Sequence, residues 1–382
     1  MNIEKSFVMY LQNELEGITI VSIEQAVAAP YCAMLLAEAG ARVIKIERPE
    51  GDFARGYDAG AKGKSSIFAW LNRGKESITL DMNNQADKLL LKKIISKSDV
   101  FLNNLTPGAL DRKGFSFKSV RRINPKIINC SISGYGSRDP NNKKKAYDFL
   151  IQGEVGLCAV TGTDNNPSRV GVSITDISTG LTAFSAILRA LIQSSRNGKG
   201  VDIELSMFDV MAEWMNMPLL AHRYSGGAPR RMGLSHSFIA PYGAFNTKDK
   251  KKILISIQNE REWQSFCSTV LKSDQLKNDD RLSSNLKRYE NKTYLNEKIL
   301  EVFRTLTKSC LIKKLERANI AYSNLNSVED LSEHKLIRNK SVYFDGSVIS
   351  IADLPITSRT KVNTNVPALN QHGQLIRKEF GI

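Results

Sequence analysis

The sequence predicts an α/β protein in which a parallel sheet is covered by helices on both faces. Two observations predict it: short apolar segments typical of buried strands, and helical patterns that separate them. A strand at residues 17–23 is followed by a helical stretch from Pro30 and a second strand at residues 41–47. The alternation continues with strands at residues 77–82, 99–104, 126–132 and 200–206. Strands joined through helices favour a parallel sheet.

Two further helical patterns follow in the middle of the chain. The longer begins after Asp176 and ends before Asn197, with apolar residues at Leu181, Phe184, Leu188 and Leu191. The second, at residues 208–224, is rich in methionine and is expected in the core or in a subunit interface.

Length and composition predict two domains. A chain of 382 residues exceeds the usual span of one hydrophobic core. Between residues 225 and 240 the composition shifts to Gly, Pro, Arg and Ser, which indicates a linker or loop. Residues 241 to about 322 then mix short strands with helical patterns, and with the linker they are expected to form a smaller α+β domain at residues 226–322. Neither G-x-G-x-x-G nor a P-loop motif occurs, so the fold alone names no ligand.

The apolar and cysteine patterns predict a cytoplasmic protein without metal. No run approaches 18 apolar residues, and the N-terminal segment lacks a basic start followed by an apolar block. The 5 cysteines include no C-x-x-C pair and fit a reducing compartment. The 4 histidines are too dispersed for a zinc site, so no metal is expected.

The strongly basic composition leaves two interpretations open. The formal net charge is +15, so nucleic acid, an acidic lipid or a phosphorylated cofactor would suit as a partner. Lysine-rich stretches such as residues 248–252 are equally typical of solvated loops.

Seven segments, in the same order along the chain, resemble the class III coenzyme A transferases and the related 2-methylacyl-CoA racemases. They are AVAAPYCAMLLAEAGARVIKIERPEGD, NRGKESITLDM, VFLNNLTPGALDRKGF, AYDFLIQGEVGL, VGVSITDISTGL, GKGVDIELSMFD and RMGLSHSFIAPYGAF. The resemblance implies a Rossmann-like, CoA-binding large domain from residues 1–225 and 323–382, a small domain at residues 226–322, and an interlocked homodimer. It also implies an enzyme that moves CoA from an acyl-CoA to a small carboxylic acid.

The resemblance implies that Asp176, within ITDISTG, is the catalytic nucleophile just before the long helix. A carboxylate with its usual pKa of about 3.9 can attack a thioester without a general base, ATP or metal. The positive end of the helix dipole is expected to keep it ionised. The structural alternative is an ordinary N-cap.

The segment Lys145-Ala146-Tyr147-Asp148 separates the two branches of the family. The racemases carry a histidine immediately before the aspartate, and Tyr147 stands there in this chain. Because tyrosine is a poor base at neutral pH, the transferase is favoured and Tyr147 becomes a catalytic candidate, with a core position as the alternative. Glu47, Asp148 and Glu154 are secondary acidic candidates; Glu47 and Asp148 are expected to cap or pair structurally.

Coenzyme A requires cations for its phosphates and small residues where it approaches the backbone. By resemblance, its binding residues would be Val27, Ala28, Arg48, Leu80, Asp81, Met82, Asn83, Asn104, Leu105, Thr106, Arg112, Lys145, Ala146, Tyr147, Asp148 and Met207. A lone arginine such as Arg112 is as often part of a surface ion pair.

The loop at residues 230–245 bears on the acceptor acid. It departs from the glycine-rich loop of formyl-CoA enzymes and is more similar to members that act on dicarboxylates such as itaconate, mesaconate or citramalate, with succinyl-CoA as donor. Arg230, Arg231 and His236 would hold the distal carboxylate, because arginine binds carboxylates bidentately. Solvated loop cations are the alternative.

Two other functions compete with CoA transfer. A 2-methylacyl-CoA racemase would exchange the α-proton of a branched acyl-CoA without an acceptor acid. A noncatalytic basic protein would bind DNA or RNA with steep salt dependence. The sequence has no RNA-binding aromatic motif or helix-turn-helix signature, so nucleic acid is not expected as a partner. Because it also lacks a long apolar run, a membrane is not expected either.

Overall fold

The protein is described by a computed structural model that covers Leu11 and residues 13–138, 144–356 and 363–381. Residues 1–10, on which part of the expectation about an export signal rests, lie outside the described residues. None of the described helices is both long and apolar enough to cross a membrane.

Strands and helices alternate through the first half of the chain. The strands are β1 Thr19–Ile23, β2 Arg42–Glu47, β3 Glu76–Thr79, β4 Val100–Asn103, β5 Ile128–Ser133, β6 Gly162–Thr163, β7 Asn166–Pro167, β8 Asp202–Ser206, β9 Tyr242–Asn246, β10 Lys252–Ser256, β11 Ala321–Asn324, β12 Asn339–Phe344, β13 Ser347–Ala352 and β14 Asn365–Val366. The helices are α1 Ala28–Glu38, α2 Ser66–Asn72, α3 Gln85–Ser96, α4 Phe117–Ile123, α5 Asp148–Glu154, α6 Leu157–Val160, α7 Ile174–Asn197, α8 Met207–Trp214, α9 Asn216–Tyr224, α10 Glu260–Ser265, α11 Asp274–Lys277, α12 Asn285–Glu290, α13 Lys292–Phe303, α14 Lys308–Arg317, α15 Val328–Ser332 and α16 Gly373–Glu379.

Six parallel strands form the large sheet, in the order β3-β2-β1-β4-β5-β8. The central strand β1 pairs with β2 on one side and β4 on the other, so that Val21 lies between Ile44 and Phe101. The strand order reverses between β1 and β4, and in open α/β sheets such a reversal leaves a crevice at the carboxyl ends of the strands. The predicted parallel sheet is confirmed.

Helices cover both faces of this sheet because successive strand residues point to opposite sides and both sides are apolar. On one face, Ile20 packs in a cluster with residues of α1, α7 and α8, among them Cys32, Ile187 and Met211. On the other face, Val21 packs in a cluster with residues of α3, α4 and α16, among them Leu91, Val120 and Ile376.

Helices α1 and α7 pack directly against each other at Gly180. A Cβ atom on Gly180 would lie 2.5 Å from the carbonyl oxygen of Ala28, so only glycine permits this distance. The first turn of α7 is thereby brought to the same end of the sheet as the first turn of α1.

Several predicted boundaries are corrected. Helix α1 begins at Ala28 and not at Pro30, which is tolerated in the first turn because its missing N–H would have no partner there. Strand β3 ends at Thr79; the N–H of Leu80 still donates to the carbonyl of Glu47 in β2 at 2.9 Å, and residues 81–83 leave the sheet. The helix predicted at residues 208–224 is two helices. Pro218 has no N–H to donate to the carbonyl of Trp214, four residues earlier, and its ring would clash with that carbonyl in a continuous helix.

The chain divides into two compact units. The first consists of the segments up to Leu157, from Arg169 to Met217 and from Arg338 onward; the second consists of Cys158–Ser168 and Pro218–Ile337. The second unit contains an antiparallel sheet, in the order β11-β10-β9, and a core that includes Trp263, Phe266 and Phe303. The boundary expected after residue 225 lies 8 residues beyond the observed junction at Met217 (225 − 217). The boundary expected after residue 322 lies 15 residues before the junction at Ile337 (337 − 322).

The C-terminal segment covers the free edge of β3 in the first unit. The backbone N–H of His372 donates to the carbonyl of Ser77 at 2.9 Å, and the N–H of Ser77 donates to Nδ1 of His372 at 3.1 Å. The side-chain oxygen of Asn370 accepts from the N–H of Thr79 at 3.0 Å. An edge strand that would otherwise expose unpaired backbone groups is therefore occupied by the chain itself.

Candidate active site

Asp176 lies in the first turn of α7. The helix begins at Ile174, so Asp176 is its third residue and not the residue just before it, and the N-cap alternative for Asp176 is wrong. The N-cap is Ser173, whose side chain makes no capping hydrogen bond. The side chain of Asp176 is partly buried, and within the described part of the chain its carboxylate has no hydrogen-bond partner.

The start of α7 is capped from another helix by Asp148. Oδ1 of Asp148 accepts hydrogen bonds from the backbone N–H groups of Thr175 at 2.8 Å and Asp176 at 3.4 Å. Oδ2 accepts from Nε2 of Gln152 at 2.7 Å, and Oε1 of Gln152 accepts from the N–H of Val170 at 2.9 Å. Asp148 therefore caps α7, as expected for a structural role, and a carboxylate stands next to Asp176.

This environment raises the pKa of Asp176 to about 7. Burial is the larger cause because it removes water from the charged form, and the nearby negative charge of Asp148 adds to it. The expectation of an ordinary carboxylate pKa, held low by the helix dipole, is therefore wrong. Near neutral pH the carboxyl group titrates, and its ionised form is a stronger base and nucleophile than an exposed aspartate.

Two tyrosines accompany Asp176. Burial raises the pKa of Tyr57 to about 12, and the charges of Asp52, Asp176 and Tyr147 add to the rise. Tyr147 immediately precedes α5, and 58% of its surface is exposed, so the core alternative for Tyr147 is wrong. Sequence reasoning missed Tyr57, although it follows the quoted segment RPEGD by five residues (57 − 52). A tyrosine hydroxyl can donate a hydrogen bond, and the raised pKa keeps that of Tyr57 protonated at neutral pH.

A cavity of about 350 Å³ opens at the carboxyl ends of β1 to β4. It lies where the strand order reverses, the usual ligand position in this type of sheet. The structure brings together there six of the residues expected to bind CoA, namely Arg48, Leu80, Asp81, Met82, Asn83 and Leu105. Gln25, Glu47 and Asp52, which were not predicted to bind CoA, also line it.

The Nε of Arg48 donates to the carbonyl of Gly51 at 2.8 Å, and half of the Arg48 side chain is exposed. A cationic group therefore stands at the mouth of the cavity.

Asn104 joins two loops beside this cavity. Its Oδ1 accepts from the N–H of Gln25 at 2.9 Å, and its Nδ2 donates to the carbonyl of Gln25 at 2.8 Å. The side chain of Asn104 is thus engaged in holding the loop after β1.

A second cavity, of about 410 Å³, adjoins β4, β5 and β8 and shares Leu105 with the first. Thr106 lines it, while Arg112 is exposed in the turn that follows Gly108.

The other residues expected to bind CoA are distributed around α1, α5 and α8. Val27 and Ala28 are buried at the start of α1, next to Gln25 of the first cavity. Ala146 packs against Gly134, where a Cβ would lie 2.1 Å from the Ala146 methyl group. Lys145 is exposed and Met207 is buried as the first residue of α8.

Two secondary acids are engaged in ion pairs. Burial opposes the ionisation of Glu47, but hydrogen bonds from Arg55, at 2.7 and 2.9 Å, and the charge of Lys45 lower its pKa to about 2. Glu154 pairs with Lys144 at 2.5 Å on the surface. The expectation that Glu47 has a structural partner is confirmed.

The three residues expected to hold the substrate belong to the second unit. Arg230 is exposed, whereas Arg231 donates to the backbone carbonyls of Ala159 at 3.2 Å, Thr163 at 2.8 Å and Asp164. Its guanidinium group therefore holds the β6–β7 hairpin.

His236 stacks on Tyr242, with ring centroids 5.0 Å apart, and its Nδ1 accepts from the N–H of Phe238 at 3.0 Å. That bond leaves the proton of neutral His236 on Nε2, where it can be donated to a ligand.

Comparison with known proteins identifies the family. The model of CoA-transferase family III matches residues 15–373. The chain belongs to this family. As a CoA-transferase it is 30% identical to the acetyl-CoA:oxalate CoA-transferase of Acetobacter aceti, with 96% of this chain and 95% of that protein covered. It is also 30% identical to the succinate–glutarate CoA-transferase of Agrobacterium fabrum, again over 96% and 95% of the two chains.

A solved structure supports the same assignment. A CaiB/BaiF family protein from Brucella suis matches this CoA-transferase with a TM-score of 0.80 and 31% sequence identity, over 96% of this chain and 98% of the other. The protein is therefore an enzyme that transfers CoA, which confirms the family resemblance and disfavours the noncatalytic alternative.

Proposed function

We propose that this enzyme moves CoA from an acyl-CoA donor, succinyl-CoA, to a small dicarboxylic acid through a covalent thioester on Asp176. The observation that carries the proposal is the state of the Asp176 carboxylate. It is partly buried, is without a hydrogen-bond partner among the described residues, and has a pKa raised to about 7. A carboxylate that is shielded from water and accepts no hydrogen bond from the described residues is suited to nucleophilic attack.

The reaction consists of four acyl exchanges. The Asp176 carboxylate attacks the thioester carbonyl of the donor, the C–S bond breaks, and CoA leaves as a thiolate from a mixed anhydride. The thiolate attacks the aspartyl carbonyl, which releases the donor acid and leaves CoA on Asp176. The acceptor carboxylate attacks this thioester to form a second mixed anhydride and free the thiolate. The thiolate then attacks the acceptor acyl group and regenerates Asp176.

Each attack generates a tetrahedral oxyanion that needs hydrogen-bond donors. Tyr147 and Tyr57 are suitable because a tyrosine hydroxyl can donate a hydrogen bond, and the raised pKa of Tyr57 keeps its hydroxyl protonated at neutral pH. Tyr147 is exposed and directly precedes Asp148, which caps the helix of Asp176. We therefore assign Tyr147 a donor role and not the role of a base.

Coenzyme A occupies the cavity at the carboxyl ends of β1 to β4 in this proposal. Arg48, Arg112 and Lys145 provide positive charge for the phosphates. The backbone of Val27 and Ala28 and the loops at residues 80–83 and 104–106 line the nucleotide and pantetheine. Ala146, Asp148 and Met207 lie towards the thioester. No cofactor other than this substrate and no metal enters the reaction.

The acceptor is proposed to be a C4 to C5 dicarboxylate such as itaconate, mesaconate or citramalate. The names of the two relatives, which act on oxalate and on succinate and glutarate, support a dicarboxylate. Arg230 and the Nε2–H of His236 would bind the distal carboxylate. Arg231 would contribute by holding its loop, because its donors already contact backbone carbonyls.

A second candidate acceptor is oxalate, which the relative from Acetobacter aceti favours. Initial rates with succinyl-CoA or acetyl-CoA and a panel of C2 to C5 acids distinguish the two. A preference for the C4 to C5 acids supports the first candidate, and a preference for oxalate contradicts it.

We propose that the enzyme is a cytoplasmic homodimer with interlocked subunits. Helices α5, α7 and α8 pack together and leave large apolar side chains exposed, namely Phe149, Leu150, Leu181, Ile192 and Trp214. Exposed apolar surface of this kind is typical of a subunit interface. Light scattering at micromolar concentration should give twice the mass of the chain, and a monomer would contradict this part of the proposal.

The central experiment traps the intermediate. After incubation with succinyl-CoA, intact-mass analysis should show one CoA per subunit. Hydroxylamine should release this CoA and leave a hydroxamate on Asp176. Asp176→Ala should bind CoA but form no adduct.

The matched control is Asp209→Ala, because Asp209 is also the third residue of its helix, α8. That variant should retain the adduct. Wild-type turnover without any adduct, or full turnover by Asp176→Ala, would overturn the mechanism.

The racemase alternative is tested in the same preparation. Rapid deuterium exchange at the α-carbon of a branched acyl-CoA without an acceptor acid would favour it. We expect none, because Tyr147 occupies the place of the histidine.

A further inference from the structure

The loop after β1 contains a residue in an unfavourable backbone conformation. Ala26 has φ of 62°, in the left-handed region that side chains with a Cβ rarely occupy. The next residue, Val27, precedes α1, so this single residue turns the chain from strand to helix. Its neighbour Gln25 lines the cavity at the carboxyl ends of the strands. A conformation of this kind persists only where surrounding groups hold it.

Side chains from two other segments hold this loop. Asn104 bonds both backbone groups of Gln25. Oδ1 of Asp52 accepts from the N–H of Ala26 at 3.2 Å and also from the N–H of Ala54 at 3.0 Å. The bond to Ala26 is made to the residue with positive φ itself, and Asp52 also lines the cavity.

Asp52 is itself fixed by buried charges. Its Oδ2 accepts from Nζ of Lys45 at 2.8 Å, and both side chains are fully buried. Nζ of Lys45 is 3.4 Å from Oε1 of Glu24, which also pairs with Lys75 at 2.5 Å. The backbone N–H of Asp52 donates to Glu47 at 3.0 Å. With these contacts the carboxylate has one orientation, and that orientation presents Oδ1 to Ala26.

We propose that Asp52 is a positioning residue that holds Ala26 in its left-handed conformation and thereby shapes the 25–27 loop to receive the acyl-CoA. The inference rests on the proposed function, because it assigns this loop to CoA binding. Asp52 acts through Ala26 and takes no part in the covalent steps. Its loss is therefore expected to weaken acyl-CoA binding and to leave the rate of the bound complex nearly intact.

The test compares Asp52→Ala with the double variant Asp52→Ala/Ala26→Gly. Asp52→Ala should raise KM for succinyl-CoA and Kd for CoA about tenfold, equivalent to about 1.4 kcal/mol, with kcat changed less than about threefold. Glycine adopts positive φ without strain. The added Ala26→Gly should therefore restore most of the lost affinity, which a merely structural role of Asp52 would not explain.

Two further variants keep the test decisive if Asp52→Ala folds poorly. Asp52→Asn retains an oxygen that can accept from Ala26, so it should keep KM closer to wild type than Asp52→Ala does. Asp52 also caps the short 3₁₀ turn Phe53–Gly56, and Asp279→Ala is the matched control because Asp279 caps a 3₁₀ turn in the second unit. It should not raise Kd for CoA.

Hydrogen exchange of the ligand-free protein separates this inference from the proposed function. Backbone amides of residues 25–28 should exchange at least about tenfold faster in Asp52→Ala than in the wild type. The other single variants of this set should not show this increase. If wild-type protein fails to bind CoA, the proposed function fails although the exchange result stands. Unchanged exchange and unchanged KM in folded Asp52→Ala, or equal KM in the single and double variants, would overturn the role of Asp52.

Discussion

Oδ1 of Asp148 accepts a hydrogen bond at 2.8 Å from the backbone N–H of Thr175, the residue immediately before Asp176. One carboxylate therefore stabilises the start of α7 and, through its charge, raises the pKa of the neighbouring carboxyl group. Helix capping and tuning of the nucleophile depend on the same side chain. Substitutions that separate charge from hydrogen bonding can distinguish the two effects.

Asp148→Asn is expected to lower the pKa of Asp176, because it removes the negative charge and keeps an oxygen that can cap α7. In the wild type, kcat/KM should rise with pH through about 7 as Asp176 ionises. In Asp148→Asn the midpoint should move to lower pH by up to about one unit, since burial remains the larger cause. The measurement is kcat/KM from pH 5 to 9 with succinyl-CoA.

The control for this prediction is Asp148→Ala, which loses the cap as well and should lower the free energy of unfolding by about 1 kcal/mol or more. A wild-type profile that is flat between pH 6 and 8, or an unmoved midpoint in Asp148→Asn, would contradict the prediction.

Asp176→Asn is expected to stabilise the protein in a pH-dependent way. Between about pH 4 and 7 the unfolded chain ionises this carboxyl group while the folded protein keeps it protonated. The folded wild type thus binds more protons, so its free energy of unfolding falls across this range relative to the variant. Urea denaturation should give no difference near pH 4 and about 2 to 4 kcal/mol above pH 7.

Asp279→Asn should show the opposite pH dependence of stability, because hydrogen bonds from Arg281 lower the pKa of Asp279. The Asp279→Asn variant should be less stable than the wild type at neutral pH, and this difference should disappear as the pH falls. A constant difference between Asp176→Asn and wild type at every pH would show that Asp176 has an ordinary pKa.

Gly180→Ala is expected to separate α1 from α7. The new Cβ would lie 2.5 Å from the carbonyl oxygen of Ala28, so the helices must move apart, at a cost of about 1 to 3 kcal/mol. Both thermal stability and CoA transfer should decrease, because the first turns of these helices carry Ala28 and Asp176.

The control is Gly153→Ala in α5, where no atom lies within 4 Å of the added methyl group. That variant should gain up to about 1 kcal/mol from helix propensity. If Gly180→Ala behaves like Gly153→Ala, the two helices are not held at this distance.

Glu24→Gln is expected to destabilise the first unit strongly. Oε1 of Glu24 accepts from Nζ of Lys75 at 2.5 Å and lies 3.4 Å from Nζ of Lys45, and all three side chains are fully buried. Burial lowers the pKa of Lys75 to about 8 although the charge of Glu24 opposes this. Without that charge, two buried ammonium groups lose a partner, which costs about 3 to 5 kcal/mol.

Chemical denaturation measures this loss, and Glu301→Gln is the control because its pair with Lys298 is exposed. The control should change stability little. Equal midpoints for the two variants would contradict the importance of the buried network.

The sequence predicted the large sheet well because its central strands β1, β2 and β4 are short segments with nearly every residue buried. Strand β1 is an example, with Ile20 and Val21 fully buried on opposite faces. The end of β3 was predicted less well. Leu80 is buried like a strand residue, but it belongs to the loop that lines the cavity. Apolar patterns report burial and do not report where backbone pairing ends.

For the site, the motif identified Asp176 but not its ionisation. The pKa depends on Asp148, 28 residues earlier in the chain, and on burial, and neither follows from local sequence. The same is true of Asp52, whose bond to Ala26 spans 26 residues. Arg231 resembled a substrate ligand by type, yet its guanidinium contacts are with backbone carbonyls of the second unit.

The occupation of the β3 edge by His372 and Asn370 bears on how the enzyme is made. Domains usually begin to fold while the ribosome is still translating them. Here the last part of the chain, from Arg338 onward, belongs to the unit that also contains the first strands. That unit can be completed only after this segment has been translated, so a nascent chain must keep an unpaired strand edge from aggregating until Asn370 and His372 have left the ribosome.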